Sequence, residues 1–424
     1  MSHLDQPVVF EGAVVILPGE IAKTSVRMES GKITGLDVPR DGAGVIDAKG
    51  MILAPALVDI HGDAFERQLM PRPGVTLPVD AAFLETDRQL AANGIATAYH
   101  ALTLGWEPGL RSVETGWQVH DALTRLAPRL TVENRLQLRW ETFCNEAIPL
   151  IKAALAGPLT PSIAFNDHTT MALLHPDVAL QDRPFDFTPD FPTADIDSPA
   201  FAAKMAERAK RSQMPIADFV DLVRSVWQRR PHVPTWIDEV AAKGRAASAP
   251  MLSHDDTQEE TRSYFRDRGA RMSEFPMNRR TADFARAGGD RIILGAPNAA
   301  RGGSHLGSIG AADMIRAGLC DILASDYYYP AMLSAIARLR ADHVGPLEAL
   351  WPLVSANPAH ASGLKDRGQI APGLRADLVV MEWPEGGLPV MRQTWVAGRC
   401  AYAAIPEGHP HRAGQRDCVA PDGN

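Results

Sequence analysis

Eight short apolar runs, separated by helical stretches, occupy the middle of this chain. They end at Ile60, His100, Trp140, Asn166, Ser253, Phe275, Ala296 and Ser325. Alternation of this kind is the signature of a parallel sheet with crossover helices, and eight strands is the number that closes a (β/α)8 TIM barrel. Helical patterns such as Ala81–Ala92 and Gly310–Ala317 lie between the runs. The sequence therefore predicts an α/β fold with a barrel over residues 56–367.

The two ends read differently. Val8–Leu17, Ser25–Met28 and Lys32–Leu36 are short, β-rich and punctuated by glycine or proline, and Ala376–Met381 and Met391–Val396 repeat the pattern. Residues 1–55 and 368–424 are accordingly expected to form one small composite β-sandwich domain from both termini. A long insertion over about 171–248 interrupts the barrel. Its stretch from Pro184 to Pro199 reads as loop, while Ala200–Arg211 and Ile216–Arg229 read as helices. Such an insertion can be a lid, a substrate wall, a dimer contact or a surface elaboration.

Composition narrows the function. The 424 residues suffice for one barrel plus a smaller domain, and 45% hydrophobic content supports a large core. A net charge of −8 with no basic run argues against nucleic acid as a partner. No run approaches the ~20 apolar residues of a membrane span, and Met1–Gln6 does not open a signal peptide. Cys144, Cys320, Cys400 and Cys418 are scattered without a CxxC pair, which fits a reducing cytoplasm rather than a disulfide framework. A homodimer is left open.

The chemistry lies at the strand ends. Val58-Asp59-Ile60-His61-Gly62-Asp63 closes the first run with His-x-Asp. Glu141 follows the third run, His168 the fourth, His254 the fifth and Asp326 the eighth. Each alone has a plainer explanation: a salt bridge for Glu141, a structural imidazole for His168 and His254, a helix cap for Asp255 and Asp256, a turn for Asp326. In a parallel barrel, however, these ends converge on one face. His61, Asp63, Glu141, His168, His254 and Asp326 together predict a divalent metal site. Glu141 could bridge two cations with its two oxygens. Asp63, Glu141 and Asp326 carry three formal negative charges, which two divalent cations and a bridging hydroxide would bring close to neutrality. Such a centre generates a nucleophile near neutral pH, with Asp326 as the general base. Mixed imidazole and carboxylate ligands suit zinc, with manganese or iron as alternatives.

Two loops point to an anionic substrate. Pro71-Arg72-Pro73-Gly74 holds an arginine in a stiff turn. Arg301-Gly302-Gly303-Ser304-His305 combines an arginine with glycines that let backbone N–H groups approach a ligand closely. Arg67 and Arg139 are weaker candidates, because nearby acids could pair with them.

Several blocks resemble the α-D-ribose 1-methylphosphonate 5-triphosphate diphosphatase family of the carbon–phosphorus lyase pathway. They are His61-Gly62-Asp63-Ala64-Phe65-Glu66-Arg67 with Pro71–Val75, Ser253-His254-Asp255-Asp256, Glu274-Phe275-Pro276, Gly295-Ala296-Pro297-Asn298, Arg301–His305 and Ser325-Asp326-Tyr327-Tyr328. Asn357-Pro358-Ala359 through Gly373 and Ala376–Val379 resemble the usual end of amidohydrolase-superfamily chains. The resemblance implies a two-metal site on the six residues above, with Asn298 joining the substrate contacts. It also implies hydrolysis of a 5-triphosphate to the 5-phosphate and pyrophosphate. Asn166-Asp167-His168-Thr169-Thr170-Met171 departs from the family pattern, as does the insertion after it. The superfamily draws its single histidines from strands five and six, whereas the runs counted here place them on four and five. A paralogue acting on a related phosphorylated compound fits these departures. The competing readings are a deacylase or deaminase cleaving a C–N bond on the same metal site, and a scaffold protein that has lost its metals. The second should lack ligands, and all six are present.

Overall fold

The computed structural model describes residues 6–302 and 310–404. The chain opens with seven short strands: β1 (Val8–Glu11), β2 (Val14–Leu17), β3 (Glu20–Lys23), β4 (Val26–Glu29), β5 (Lys32–Leu36), β6 (Gly44–Asp47) and β7 (Ile52–Pro55). The run Val8–Leu17 is thus two strands rather than one. Gly12 turns the chain between them at φ +77, a left-handed conformation that favours glycine.

Eight strands follow through the middle: β8 (Leu57–Gly62), β9 (Ile95–Leu104), β10 (Glu133–Glu141), β11 (Ser162–Asn166), β12 (Met251–His254), β13 (Met272–Glu274), β14 (Arg291–Gly295) and β15 (Ile322–Ala324). Three more close the described chain: β16 (Leu378–Glu382), β17 (Val390–Val396) and β18 (Arg399–Ala403). One small sheet has the order β5-β4-β1-β6 and another the order β18-β17-β16-β7-β2-β3. The second joins the two ends of the chain, because β7 pairs antiparallel with β16 through Leu53 and Val380. Phe10, Val15, Val26, Ile33, Leu53, Leu378 and Val380 pack between these sheets. Residues 1–5 and 405–424, which the sequence assigns to this part and which include Cys418, lie outside the described residues.

The middle strands form one parallel sheet in sequence order, β8 to β15. It is a barrel, closed by a parallel bridge between Gly62 and Asp326. The Asp326 N–H donates to the His61 carbonyl and the Asp63 N–H donates to the Asp326 carbonyl, both at 2.9 Å. Just below, fully buried Asp59 accepts the Ser325 N–H at 3.0 Å and its hydroxyl at 2.5 Å. No side chain fits at position 62. A Cβ there would stand 2.6 Å from Asp59 Oδ2 and 2.9 Å from Ser325 Oγ, both held by hydrogen bonds.

The strand count from the sequence stands. Between the end of β9 and the start of β10, residues 105–132 hold the helix Val113–Leu126 and a short turn, and no further barrel strand. β9 runs on to Leu104 instead of ending at His100. His100 is a core residue, packed on Phe65 and Phe83 and hydrogen-bonded to Asn134 at 2.7 Å, and burial lowers its pKa to about 4. Val58, Ile60, Tyr99, Ala164, Leu252, Met272, Ile293 and Ile322 form a cluster drawn from seven of the eight strands.

The insertion carries helices Pro199–Arg211 and Ile216–Trp227, as expected, and a third, Val233–Ala246, that the sequence reading passed over. Phe201, Met205, Phe219 and Val223 give it a small core shared with Leu173. Buried Arg183 ties its loop to the exit of β12. Its Nη2 donates to the Asp255 carbonyl at 3.1 Å, its Nε lies 2.8 Å from Asp186, and its own carbonyl accepts the Thr257 hydroxyl at 2.7 Å. Among the described residues, no helix is long and apolar enough to cross a membrane.

An acid-labile tie joins the barrel to the C-terminal strands. Glu133 at the start of β10 meets Arg135 at 2.6 Å, Arg367 at 2.8 Å and Arg375 at 2.5 Å. Burial opposes its charge, but these guanidinium groups outweigh burial and bring its pKa down to about 2. A carboxylate depressed by folding stabilises the folded state above its unfolded pKa and ceases to do so as pH falls through its folded value. Glu133→Gln should therefore cost about 2–3 kcal/mol at pH 7. In denaturant titrations the gap to the wild type should shrink as pH falls below 4.5 and vanish near 2. A gap independent of pH would show that the carboxylate charge is not what stabilises.

Candidate functional site

The rim where the barrel strands end gathers three imidazoles and five carboxylates. His61 and Asp63 leave β8, Glu141 ends β10, and His168 opens the short helix after β11. His254 ends β12 with Asp255 next to it, Glu274 ends β13, and Asp326 follows β15. The His61 and His254 rings lie 5.8 Å apart, and the His168 and His254 rings 5.9 Å. All six residues chosen from the sequence are brought together here.

The contacts form a chain of alternating acids and imidazoles. Glu141 takes the His168 Nδ1 at 2.5 Å with one oxygen and the His168 backbone N–H at 3.0 Å with the other. His168 Nε2 lies 3.8 Å from Asp255, which also takes His254 Nδ1 at 2.9 Å. His254 Nε2 lies 3.7 Å from Glu274, and Glu274 lies 3.0 Å from His61 Nδ1. His61 groups in turn with Asp63 and Asp326. Glu141, expected as a carboxylate bridging two cations, has both oxygens on His168 in this arrangement.

Local structure sets these positions. Asp167 caps the helix His168–Leu173 by accepting the Thr170 N–H at 2.7 Å, which fixes where His168 begins it. Asp255, Phe275 and Asp326 follow strands at φ +56, +53 and +55. Non-glycine residues in that region cost roughly 1 kcal/mol or more each, and such strain clusters where side chains must be aimed. The Phe275 ring then packs against His61 and His254 at 5.0 and 5.3 Å.

Two of these groups went unread in the sequence. Asp255 was assigned with Asp256 to helix capping, but the next helix begins at Glu259 with Gln258 at its cap. Asp256 is instead buried against Arg262, which also meets Asp290 at 3.1 Å and the Met272 carbonyl at 3.0 Å. Glu274, fully buried, was part of the Glu274-Phe275-Pro276 block but received no role. A carboxylate inside an apolar strand was the available signal.

The electrostatics ask for positive charge. Among the described residues, the five carboxylates face Arg139, buried and 3.6 Å from Asp63, with Arg111 acting on Asp63 and Glu141 from further out and Arg183 on Asp255. Arg67 lies over the Tyr327 ring, 5.8 Å from its centre. Burial opposes ionisation of Glu141, but His168 outweighs it and brings its pKa to about 2. Asp255 is held below the usual range in the same way by His254 and His168, and Glu274 by His61 and His254. Asp326 goes the other way: burial, with Asp63 adding to it, raises its pKa despite His61 and Arg139.

These residues fit divalent cations. His61 Nδ1, His254 Nε2 and Glu274 Oε2 are buried and lack an aligned hydrogen-bond partner among the described residues. Buried polar atoms are seldom left so, and imidazole nitrogens with carboxylate oxygens are zinc-type donors. Three groups have ligand atoms within mutual reach: His61 with Asp63 and Asp326, His168 with His254 and Asp255, and His61 with His254 and Glu274. The groups share His61 and His254.

Arg72 is exposed in its turn, and Arg301 is exposed at the end of the helix Ala296–Arg301, where Gly302 adopts φ +80. Asn298 is half-buried in that helix. Gly303, Ser304 and His305 lie outside the described residues. A cavity of about 350 Å³ opens beside Glu141 and His168, and neither Arg72 nor Arg301 is among its lining residues.

Comparison with known proteins bears on the family and the fold. A profile of the amidohydrolase family matches residues 176–402. The alpha-D-ribose 1-methylphosphonate 5-triphosphate diphosphatase of Escherichia coli K12 is 27% identical over 378 residues, covering 88% of this chain and 94% of that one. Molinate hydrolase superposes with a TM-score of 0.54 at 16% identity, over 99% of both chains. A zinc-bound adenosine deaminase from Xanthomonas campestris superposes with a TM-score of 0.57 at 12% identity, over 93% of this chain and 92% of that one. These two likenesses bear on the fold.

The unread glutamate gives the test. Glu274→Gln keeps the shape but removes the charge facing His61 and His254. Divalent-metal affinity should fall about 10- to 100-fold in competition with a chromophoric chelator. Unchanged affinity would assign Glu274 to the hydrogen bond it accepts from Gln137 at 2.9 Å and nothing more.

Proposed function

Because the chain belongs to the amidohydrolase family, we propose that it is a metal-dependent hydrolase that cleaves a phosphoric anhydride. Its substrate is α-D-ribose 1-methylphosphonate 5-triphosphate or a related phosphorylated compound, and its products are the 5-phosphate and pyrophosphate. The observation that carries the hydrolytic reading is the convergence of His61, Asp63, His168, His254, Asp255, Glu274 and Asp326 on one rim of the barrel. The choice of phosphorus over a C–N bond rests on the Escherichia coli diphosphatase, whose likeness runs through nearly the whole chain.

His61, Asp63 and Asp326 would hold one divalent cation, and His168, His254 and Asp255 another, with zinc suited to this donor set. Cations bound there would supply a water nucleophile at neutral pH and charge stabilisation for phosphoryl oxygens. The protein's own groups do the rest. Asp326, anchored through both of its peptide groups at the barrel seam, accepts a proton from the attacking water. Glu141 fixes the His168 ring, and Glu274 stands between the His61 and His254 rings. Arg139 offsets part of the carboxylate charge beside Asp63.

The test is product release by the metal-loaded enzyme offered the ribose methylphosphonate triphosphate, nucleoside triphosphates and a panel of acylated amines and amidines. Pyrophosphate from the phosphonate triphosphate is expected. Asp326→Asn should lower the rate about 10²- to 10⁴-fold. Ammonia or a free acid released instead, with no pyrophosphate, would move the reaction to a C–N bond.

A further inference from the structure

The insertion adds positive charge beside the acids of the rim. Its helix Pro199–Arg211 faces the loop that leaves β9, and the cavity of about 350 Å³ lies between them. That volume falls within the range of small-molecule sites. Its lining joins Glu141 and His168 of the metal centre to Arg111, Lys204, Arg208 and Arg211. Two of these cations are already matched: Arg111 grips Glu66 through two hydrogen bonds at 2.9 and 3.0 Å, and Arg208 binds Glu107. Lys204 and Arg211 have no carboxylate partner among the described residues. The Lys204 ammonium donates to the Ala172 carbonyl at 2.7 Å, which leaves two of its three N–H bonds for a ligand. Burial, with Arg208 adding to it, lowers the Lys204 pKa, as expected for a cation without its counter-charge.

We propose that this cavity is the subsite for the part of the substrate that stays behind when pyrophosphate leaves: a sugar-sized fragment, one of whose phosphonyl or phosphoryl oxyanions, the one away from the cleaved anhydride, is recognised by Lys204 and Arg211 of the insertion. The inference rests on the hydrolase reading above and deepens it. The charge count supports one anionic group, since two unmatched cations suffice for a phosphonate-ester monoanion or a phosphate-monoester dianion and no more. Met171, Leu180 and Met205 supply apolar wall, which suits a carbon skeleton better than a bare polyphosphate. Contact with Glu141 and His168 puts the fragment next to the reacting centre. The helix that carries the recognition groups is held in place by its own core and by the Arg208–Glu107 pair.

Lys204 is the residue to change, because it is exposed enough to be replaced without opening a core. Lys204→Met in the metal-loaded enzyme should weaken calorimetric binding of ribose 5-phosphate by about tenfold or more, and Lys204→Arg should retain most of it. With the phosphonate triphosphate, Lys204→Met should raise KM by a similar factor and leave kcat within about threefold. Preference for methylphosphonate over inorganic phosphate, lost in Lys204→Met, would assign the oxyanion as a phosphonate; the reverse preference would assign a phosphate monoester. Unchanged Kd and KM in the variant overturn the subsite, as does a wild-type enzyme that binds none of these probes. Lys204-dependent binding of ribose 5-phosphate by an enzyme that releases no pyrophosphate would sustain the subsite and remove the diphosphatase reading.

Discussion

The barrel closes through the same peptide groups that carry its first and last metal-binding candidates. The hydrogen bonds from Asp326 to His61 and from Asp63 to Asp326 are the seam of the eight-stranded sheet. Asp59 and Ser325 lock it from below, and Gly62 leaves room for that lock. Geometry at the seam and geometry at the site are one quantity. A shift that opens the first strand from the eighth also parts Asp63 from Asp326.

What the seam joins, the charges would drive apart. Five carboxylates crowd a rim where Glu274 is fully buried and the others are mostly so, and Arg139 is the guanidinium paired directly with one of them. Like charges at such distances raise one another's pKa unless something positive intervenes. Part of the relief comes from the imidazoles, which alternate with the acids from Glu141 to Asp326. Bound cations would complete it, and would then clamp β8, β12 and β15 together. A metal in this position adds to the stability of the fold as well as to its chemistry.

Much of this was legible in the sequence for one reason. Parallel strands buried on both faces read as unbroken apolar runs, and a polar residue directly after such a run stands out. His61, Asp63, Glu141, His168, His254 and Asp326 were found that way. Asp255 was hidden by its neighbour, since two consecutive aspartates before a helix look like caps. Glu274 was hidden because the run was taken to continue through Phe275, which belongs to the site rather than to β13. Lys204 and Arg211 could not be seen at all. They lie on an ordinary amphipathic helix, and only its placement against the loop after β9 gives them a role. The split of Val8–Leu17 at Gly12 and the extension of β9 past His100 are smaller cases, decided by a turn and by packing on Phe65 and Phe83.

The seam also carries a cost in time. Asp59 and Ser325 are separated by 266 positions, so the bonds that close the ring join nearly the first barrel residue made to nearly the last. At synthesis rates of roughly 5–20 residues per second, the first strand waits about 13–50 s for its partner. Until then, the seam bonds that fix Asp63 relative to Asp326 cannot form. Contacts this distant in sequence make for slow final assembly. A nascent chain of this kind has no hydrolytic centre until its eighth strand has left the ribosome, and its activity begins with the closing of the ring.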